Sequence, residues 1–280
     1  MHRALRTAFA VLLALGVSAR HSAARAENPP EVTTAGSAKT LRFISDFKSP
    51  PFSYREGMRR VGIEVDIAEA LGRQMGREIE WVPMNFSASA YASALEMGKA
   101  DAAIACISIT DARRKSLSFT KPYARMGLAL AVKSTVDWRR HWFTNGLKHW
   151  KICVVRGTTA ERWARENLLG KVQTYSSLDR MVQVLKNSPL PEEKRGGTCI
   201  LYDEVPLRWA LSNYSYYYQV VESRISRERY GIAVKKGNIA LLESLNEAIG
   251  RLDKSGEGRR LREKWIDKAQ GLDFFEDYGE

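Results

Sequence analysis

Apolar positions in the first part of the chain form either short continuous runs or stretches with helical spacing. The run Ala102–Ile107 is apolar at every position, which predicts a strand buried on both faces, and apolar positions three and four apart predict helices. The pattern predicts strands at Leu41–Ser45, Glu78–Val82 and Ala102–Ile107, and helices at Val65–Met75 and Tyr91–Met97. Strands that alternate with helices are typical of a parallel α/β sheet.

The same alternation restarts after residue 150. The second set comprises strands at Lys151–Val155, Val172–Tyr175 and Cys199–Tyr202, and helices at Ala160–Leu168, Ser177–Leu185 and Val205–Leu211. Further strands are predicted at Tyr123–Val132 and Tyr230–Val234, and further helices at Ile239–Leu252 and Gly256–Trp265. The sequence therefore predicts an α/β protein with two βαβαβ units.

Polar residues follow the third strand of the first unit. Ser108 comes directly after that strand, Thr110 is a suitable helix cap, and Arg113 lies one turn into the next helix. Free backbone N–H groups at a helix start, with a guanidinium beside them, suit a carboxylate. The alternative is that Ser108 and Thr110 are ordinary caps and that Arg113 is a solvated surface residue.

Ligands of open α/β sheets bind beyond the carboxyl ends of the strands. Two units that face each other would form a cleft there. The residues expected to line this cleft are Asp46, Ser108, Arg113, Gly157, Thr159 and Asp203.

The N-terminus has the pattern of a secretory signal peptide. Arg3 and Arg6 precede the apolar run Ala8–Val17, which is too short to span a bilayer. A small-x-small cleavage pattern follows at Ala24–Ala26. No cysteine follows the apolar run at a position for lipid attachment, so an anchor is not expected. We expect a signal peptide over residues 1–26, a loose N-terminus over 27–39 and an acidic tail over 269–280.

The distribution of charge along the chain argues against a nucleic-acid partner. The formal charge of +12 becomes +8 once the four arginines of residues 1–26 are removed. The remaining basic residues are spread evenly, without a Lys/Arg run interleaved with aromatics, so no nucleic-acid partner is expected.

The three cysteines predict neither a metal site nor a cofactor. Cys106, Cys153 and Cys199 all lie in strand-like runs without metal-ligand spacing. Export would permit a disulfide between Cys153 and Cys199, whose strands could be neighbours. The alternative is that all three are small buried residues.

A series of short motifs extends over residues 40–267. They are Pro51–Tyr54, Gly62–Ala68, Gly98–Ala102, Ser108–Thr110 with Arg113, Phe119–Tyr123, Gly157–Thr159, Tyr202–Glu204, Tyr230–Val234 with Lys236-Gly237, and Lys264-Trp265. In their order and spacing, the chain resembles the periplasmic solute-binding proteins of polar amino acid ABC transporters (family 3, Venus-flytrap type).

The resemblance implies a type II periplasmic binding protein: two Rossmann-like lobes joined by two hinge strands. Lobe one would comprise residues 40–130 and 231–268, and lobe two residues 131–230. The hinge strands would lie at 131–134 and 227–230.

The resemblance also implies roles for individual residues. Arg113 would bind the ligand α-carboxylate, and Ser108 and the backbone N–H of Thr159 would assist it. Asp203 would bind the α-ammonium.

The remaining candidates concern the ligand side chain. Phe86 would form an apolar wall, although it could instead belong to the core. Asp46 would contact a polar or basic side chain, although it could merely cap a loop. Together with Asp46, Tyr202 indicates a polar or basic ligand side chain, and Cys106 places a thiol beside the site.

The function that the resemblance implies is binding, without catalysis. The protein would capture a free amino acid in the periplasm by lobe closure and deliver it, as a monomer, to an inner-membrane ABC permease. The alternative is an enzyme similar to exported cyclohexadienyl and arogenate dehydratases. In those enzymes an acidic glutamate lies three residues past the position of Asp203, where this chain has Pro206.

Overall fold

The computed structural model describes residues 39–134, 147–190, 196–222 and 224–268. The predicted signal peptide (1–26), the acidic tail (269–280) and all but the last residue of the loose N-terminus (27–39) lie outside them. Within the described ranges, no helix combines the length and the apolar character needed to cross a bilayer.

Strands and helices alternate through most of this part of the chain. The strands are β1 (Thr40–Ser45), β2 (Tyr54–Glu56), β3 (Arg59–Val61), β4 (Glu78–Pro83), β5 (Ala102–Ala103), β6 (Leu117–Phe119), β7 (Ala124–Met126), β8 (Leu128–Lys133), β9 (Lys151–Val155), β10 (Lys171–Tyr175), β11 (Thr198–Asp203), β12 (Tyr218–Glu222), β13 (Glu228–Tyr230) and β14 (Ala233–Lys235). The helices are α1 (Ile63–Met75), α2 (Ala88–Glu96), α3 (Asp111–Arg114), α4 (Thr159–Asn167), α5 (Leu178–Asn187), α6 (Glu204–Leu211), α7 (Ile239–Lys254) and α8 (Glu257–Lys268).

The helices begin and end where local chemistry favours it. The side chains of Thr110, Thr158 and Ser177 cap α3, α4 and α5 by accepting backbone N–H bonds from the first turn. Gly76 ends α1 in the left-handed conformation, with φ of 64°, which glycine adopts without a Cβ penalty.

The first sheet has the strand order β4-β1-β5-β14-β6. β1 pairs in parallel with β4 and β5, so the carboxyl ends of these three strands lie at one edge. The helices α1 and α7 pack on one face of the sheet around Phe43 and Ile104, and α2 packs on the other around Ile44. Burial of these apolar faces fixes which edge carries the polar strand ends.

The second sheet has the order β10-β9-β11-β8-β12. β9 pairs in parallel with β10 and β11, while β8 runs antiparallel to β11. The helix α4 packs on one face around Ile152, and α5 packs on the other around Ile200. The carboxyl ends of β9 and β11 therefore share an edge, as in the first sheet.

The register of this sheet excludes a disulfide between Cys153 and Cys199 and supports the alternative of small buried residues. Cys199 pairs with Ile152, and Cys153 pairs with Ile200, one position further along. Because side chains alternate between faces, Cys153 and Cys199 belong to opposite core clusters. All three cysteines are buried and free.

A separate strand pair connects the two sheets. β7 follows the first sheet and precedes β8, while β13 follows β12 and precedes β14. β7 and β13 pair with each other, antiparallel. The sequence prediction put the first hinge strand at 131–134, but residues 131–133 lie inside β8, in the second sheet.

Glycine explains this difference. The segment Tyr123–Val132, predicted as one strand, divides at Gly127 into β7 and β8. A Cβ at Gly127 would lie 2.7 Å from the Cα of Arg224, so only glycine permits this approach of the two crossing segments.

One further prediction differs from the structure. The strand predicted at Ala102–Ile107 is paired as β5 only over Ala102–Ala103, and Cys106 turns the chain with a φ of 50°. The short strands β2 and β3 form a hairpin with each other.

Candidate functional site

The carboxyl ends of the strands in both sheets line one cleft. Eight of the nine residues proposed from the sequence line it: Asp46, Phe86, Cys106, Ser108, Arg113, Thr159, Tyr202 and Asp203. The ninth, Gly157, is not among the lining residues, although its carbonyl oxygen accepts a hydrogen bond from Arg113. The space between the lining atoms is about 540 Å³, part of it open to solvent.

Arg113 is fixed in the cleft at the end of a short, capped helix. Its backbone N–H donates to the Thr110 hydroxyl at 3.2 Å. Its guanidinium donates to the carbonyl oxygens of Ser108 at 2.9 Å and of Gly157 at 3.4 Å. A guanidinium has five N–H donors, so this half-buried group keeps donors for a carboxylate. The reading of Arg113 as a solvated surface residue is therefore wrong.

Asp203 ends β11 at the opposite wall. Its side chain is only 8% exposed, and its Oδ1 atom accepts no hydrogen bond from the described residues. Burial raises the pKa of Asp203 to about 8, and the charge of Glu228 adds to this shift. A buried carboxyl oxygen without a donor is costly unless a ligand supplies one.

Asp46 belongs to a tight turn after β1. Its carboxylate accepts a hydrogen bond from the backbone N–H of Lys48 at 3.1 Å, so it does cap this loop while also lining the cleft. Burial raises the pKa of Asp46 to about 6. The Lys48 side chain, which the sequence analysis overlooked, also lines the cleft and donates to Asn85 Oδ1 at 2.6 Å.

Phe86 and Tyr202 form the apolar walls. The Phe86 ring packs edge-on against Tyr91, with centroids 5.8 Å apart, and the Arg113 guanidinium lies 5.5 Å from its centroid. Phe86 therefore contacts both the core and the cleft. Tyr202 is buried in β11, and burial raises the pKa of its hydroxyl well above the usual value.

Cys106 is held in place by a buried carboxylate that the sequence analysis missed. The Cys106 N–H donates to Glu64 Oε1 at 2.6 Å, and the Tyr123 hydroxyl donates to the same atom. Glu64 is fully buried, and burial raises its pKa to about 7. Burial also raises the pKa of the Cys106 thiol well above its usual value, which disfavours the reactive thiolate.

Glu228, on β13, is a second residue that the sequence analysis missed. Its Oε2 atom accepts hydrogen bonds from the hydroxyls of Ser108 and of Thr159, the latter at 2.8 Å. Its Oε1 atom accepts from the Ser226 hydroxyl at 3.0 Å. The only sequence signal was a single acid within the basic segment 224–229.

Comparison with known proteins identifies the family. Residues 41–268 match the bacterial extracellular solute-binding proteins, family 3. The chain belongs to this family.

Related members bind amino acids, according to their names. The L-cystine-binding protein TcyJ of Escherichia coli is 29% identical over 219 residues, which cover 78% of this chain and 79% of that protein. The L-arginine-binding protein of Pseudomonas aeruginosa is 28% identical over 238 residues, covering 83% and 90%. Both alignments span most of the two proteins, so the similarity concerns the whole fold.

Solved structures of amino acid-binding proteins are also similar to this chain. An ancestral arginine-binding protein bound to arginine superposes with a TM-score of 0.70 at 31% identity, covering 81% of this chain and 98% of that one. An ancestral amino acid-binding protein, a precursor of cyclohexadienyl dehydratase, gives a TM-score of 0.70 at 27% identity and covers 81% and 95%. This family 3 protein thus has the type II periplasmic binding fold, with two lobes joined by two hinge strands.

The described part of this family 3 protein offers no metal-binding group. No cluster of three or more His, Cys, Asp or Glu side chains in the described ranges has the geometry to hold a metal ion.

Proposed function

We propose that this protein captures a free amino acid in the cleft and delivers it to the permease of an ABC transporter. One observation carries the proposal: Arg113, with free donors, and Asp203, with an unpaired buried oxygen, line the same cleft. A guanidinium and a carboxylate complement the two charges of an α-amino acid. The names of the relatives, which bind cystine and arginine, support this ligand class.

The proposed roles follow from position. Arg113 binds the α-carboxylate, and Asp203 binds the α-ammonium. Thr159 begins α4, so its backbone N–H faces the cleft at the positive end of a helix dipole and assists Arg113. Ser108 supports the same group from the first sheet.

Phe86, Tyr202 and Cys106 form the walls around the ligand side chain. Asp46 contacts its polar or basic end.

Lobe closure is the proposed mechanism of capture. Lobe one comprises about residues 40–130 with 231–268, and lobe two residues 131–230. We place the hinge in the β7–β13 pair, since both crossing segments meet there. A ligand that contacts residues of both sheets stabilises the closed arrangement and so shifts the population toward it.

The proposed location is the periplasm. Cleavage of the signal peptide at about residue 26 would release the protein without a lipid anchor. The partners are the amino acid and an inner-membrane permease, and the protein acts as a monomer.

A dehydratase activity is the alternative function. It would need an acid to protonate a leaving hydroxyl. Pro206, in the first turn of α6, occupies the position of that acid and has no proton to give. Glu204 is adjacent, but its carboxylate accepts from the Arg208 guanidinium at 2.9 Å. Binding without catalysis is therefore the favoured function.

The test is a thermal-shift and calorimetric screen of the exported protein against the proteinogenic amino acids. At least one should raise the melting temperature. Arg113→Ala should weaken binding by about 2–5 kcal/mol, because the ligand carboxylate loses its partner inside the cleft. Arg114→Ala is the matched control, since Arg114 is the next residue, is exposed and does not line the cleft.

Two results would overturn the proposal. One is the absence of a shift with any amino acid, together with turnover of prephenate or arogenate. The other is equal affinity in Arg113→Ala and in the parent protein.

A further inference from the structure

The turn at residues 46–48 presents two charged side chains of opposite sign to the cleft. Its middle residue, Phe47, has a φ of 51°, which is uncommon for a bulky side chain. The Phe47 ring is 6% exposed and packs edge-on against Trp81, with centroids 5.3 Å apart. The buried ring anchors the turn, so Asp46 and Lys48 flank a fixed point.

Further hydrogen bonds define the positions of both charges. The Asp46 carboxylate accepts the N–H of Lys48 at 3.1 Å, and the Lys48 ammonium donates to Asn85 Oδ1 at 2.6 Å. Asn85 follows β4, the neighbour of β1 in the sheet. All three residues line the same cleft as Arg113 and Asp203.

The cleft therefore holds two pairs of opposite charge. Arg113 follows β5, which is a neighbour of β1 in the sheet. The negative charges of Glu228 and Asp203 act on its guanidinium. Asp46 and Lys48 follow β1 itself, and Lys48 is the cation that acts on Asp46. The two pairs consist of different residues, and both pairs line the same cleft.

Charge complementarity constrains the end of the ligand side chain. A lone ammonium would pair with Asp46 but would be repelled by Lys48. A lone carboxylate would pair with Lys48 but would be repelled by Asp46. A side chain that ends in both an ammonium and a carboxylate satisfies both residues, as Arg113 and Asp203 satisfy the α-groups.

We propose that the ligand is a diaminodicarboxylic acid, with an amino-carboxylate group at each end. Arg113 and Asp203 bind one end, and Lys48 and Asp46 bind the other. This inference rests on the proposed function and narrows its ligand class.

A matched series of ligands tests the distal groups one at a time by calorimetry. LL-diaminopimelate carries both distal charges, L-lysine only the ammonium, L-aminopimelate only the carboxylate and L-norleucine neither. L-cystine adds a second diaminodicarboxylate with a different spacer. Diaminopimelate or cystine should bind about tenfold more tightly than lysine or aminopimelate, as expected for one added charge-assisted contact.

Variants of Lys48 and Asp46 test whether the turn at residues 46–48 causes this preference in affinity. Lys48→Met should abolish the roughly tenfold preference for the diaminodicarboxylate over lysine, and should strengthen lysine binding because a like charge is removed. Asp46→Asn should abolish the preference over aminopimelate instead. Lys254→Met, at the exposed end of α7, is the matched control and should leave every ratio as in the parent protein.

The outcomes separate this inference from the proposed function. If lysine or another singly charged member binds as tightly as both diaminodicarboxylates, the inference is wrong while amino acid binding stands. The same holds if Lys48→Met leaves the preference intact. If no member of the series and no other amino acid binds the parent protein, the proposed function fails and the inference with it.

Discussion

The carboxylate of Glu228 accepts a hydrogen bond from the Thr159 hydroxyl at 2.8 Å, and the same oxygen accepts one from Ser108. Ser108 follows β5 of the first sheet, whereas Thr159 begins a helix that packs on the second. Glu228 itself lies in the β7–β13 pair. One oxygen atom thus joins both halves of the molecule at the proposed hinge.

We expect Glu228 to stabilise the closed arrangement whatever the ligand. Glu228→Ala removes both bonds, and should weaken every ligand by a similar factor of about three to thirty, given the energy of bonds to a charged acceptor. Thr159→Val removes one bond and should show a smaller loss. Glu228 also raises the pKa of Asp203 to about 8, so its removal changes the ionisation of Asp203 near that pH. Affinities should therefore be measured by calorimetry above pH 8, where Asp203 is mostly ionised in both proteins.

Tighter binding by Glu228→Ala would contradict this expectation. It would mean that Glu228 competes with the ligand carboxylate for the Ser108 and Thr159 hydroxyls. Glu166→Ala, an exposed acid on α4 outside the ligand cleft, is the control.

Amino acid binding should release a proton at neutral pH. Burial raises the pKa of Asp203 to about 8, so the free protein carries this carboxyl mostly protonated at lower pH. An ammonium ligand requires the ionised form, so affinity should fall by up to about tenfold per pH unit as the pH drops below 8. Calorimetry in buffers of different ionisation enthalpy measures the released proton directly.

Asp203→Asn should bind more weakly and release no such proton. An affinity that is constant across this pH range in the parent protein would show that Asp203 does not bind the ammonium. Asp179→Asn, on α5 and outside the cleft lining, should behave as the parent protein does.

Local pattern was enough to predict most of the strands and helices and the edge of the sheet at which polar strand ends meet. Parallel strands place their carboxyl ends at one edge, so Asp46 after β1 and Ser108 after β5 could be predicted to meet. The family resemblance added what periodicity does not contain, namely the two hinge strands between the lobes and the roles proposed for individual residues.

The missed features depend on contacts between distant segments. Cys106 has a φ of 50° and donates its backbone N–H to Glu64, 42 residues earlier. Gly127 divides a segment predicted as one strand, at the point where Arg224 passes beside it. Glu228 is separated by 120 and 69 residues from its two hydroxyl partners. No local pattern of polar and apolar residues encodes such pairings.

The cysteines should all titrate as free thiols. Cys153 and Cys199 lie on opposite faces of the second sheet, a geometry that no disulfide can bridge. Burial raises the pKa of both thiols, which suppresses the reactive thiolate in the native state. A thiol reagent should react slowly with the native protein and should count three thiols per chain after unfolding without reductant. A count of one would reveal a bridge.

The buried carboxyl of Glu64 should make the free protein more stable in mild acid than in base. Burial raises its pKa from 4.5 to about 7, so between these values the folded state holds a proton that the unfolded state has lost. Stability is then highest below 4.5 and is lost as the pH rises toward 7, by about 3 kcal/mol for this group.

Glu64→Gln keeps an acceptor for Cys106 and Tyr123 but cannot ionise. Its melting temperature should therefore vary less with pH, by about 10 °C over this window. Glu69→Gln, exposed on the same helix, should retain the parent profile. An unchanged profile in Glu64→Gln would show that Glu64 stays ionised in the folded protein.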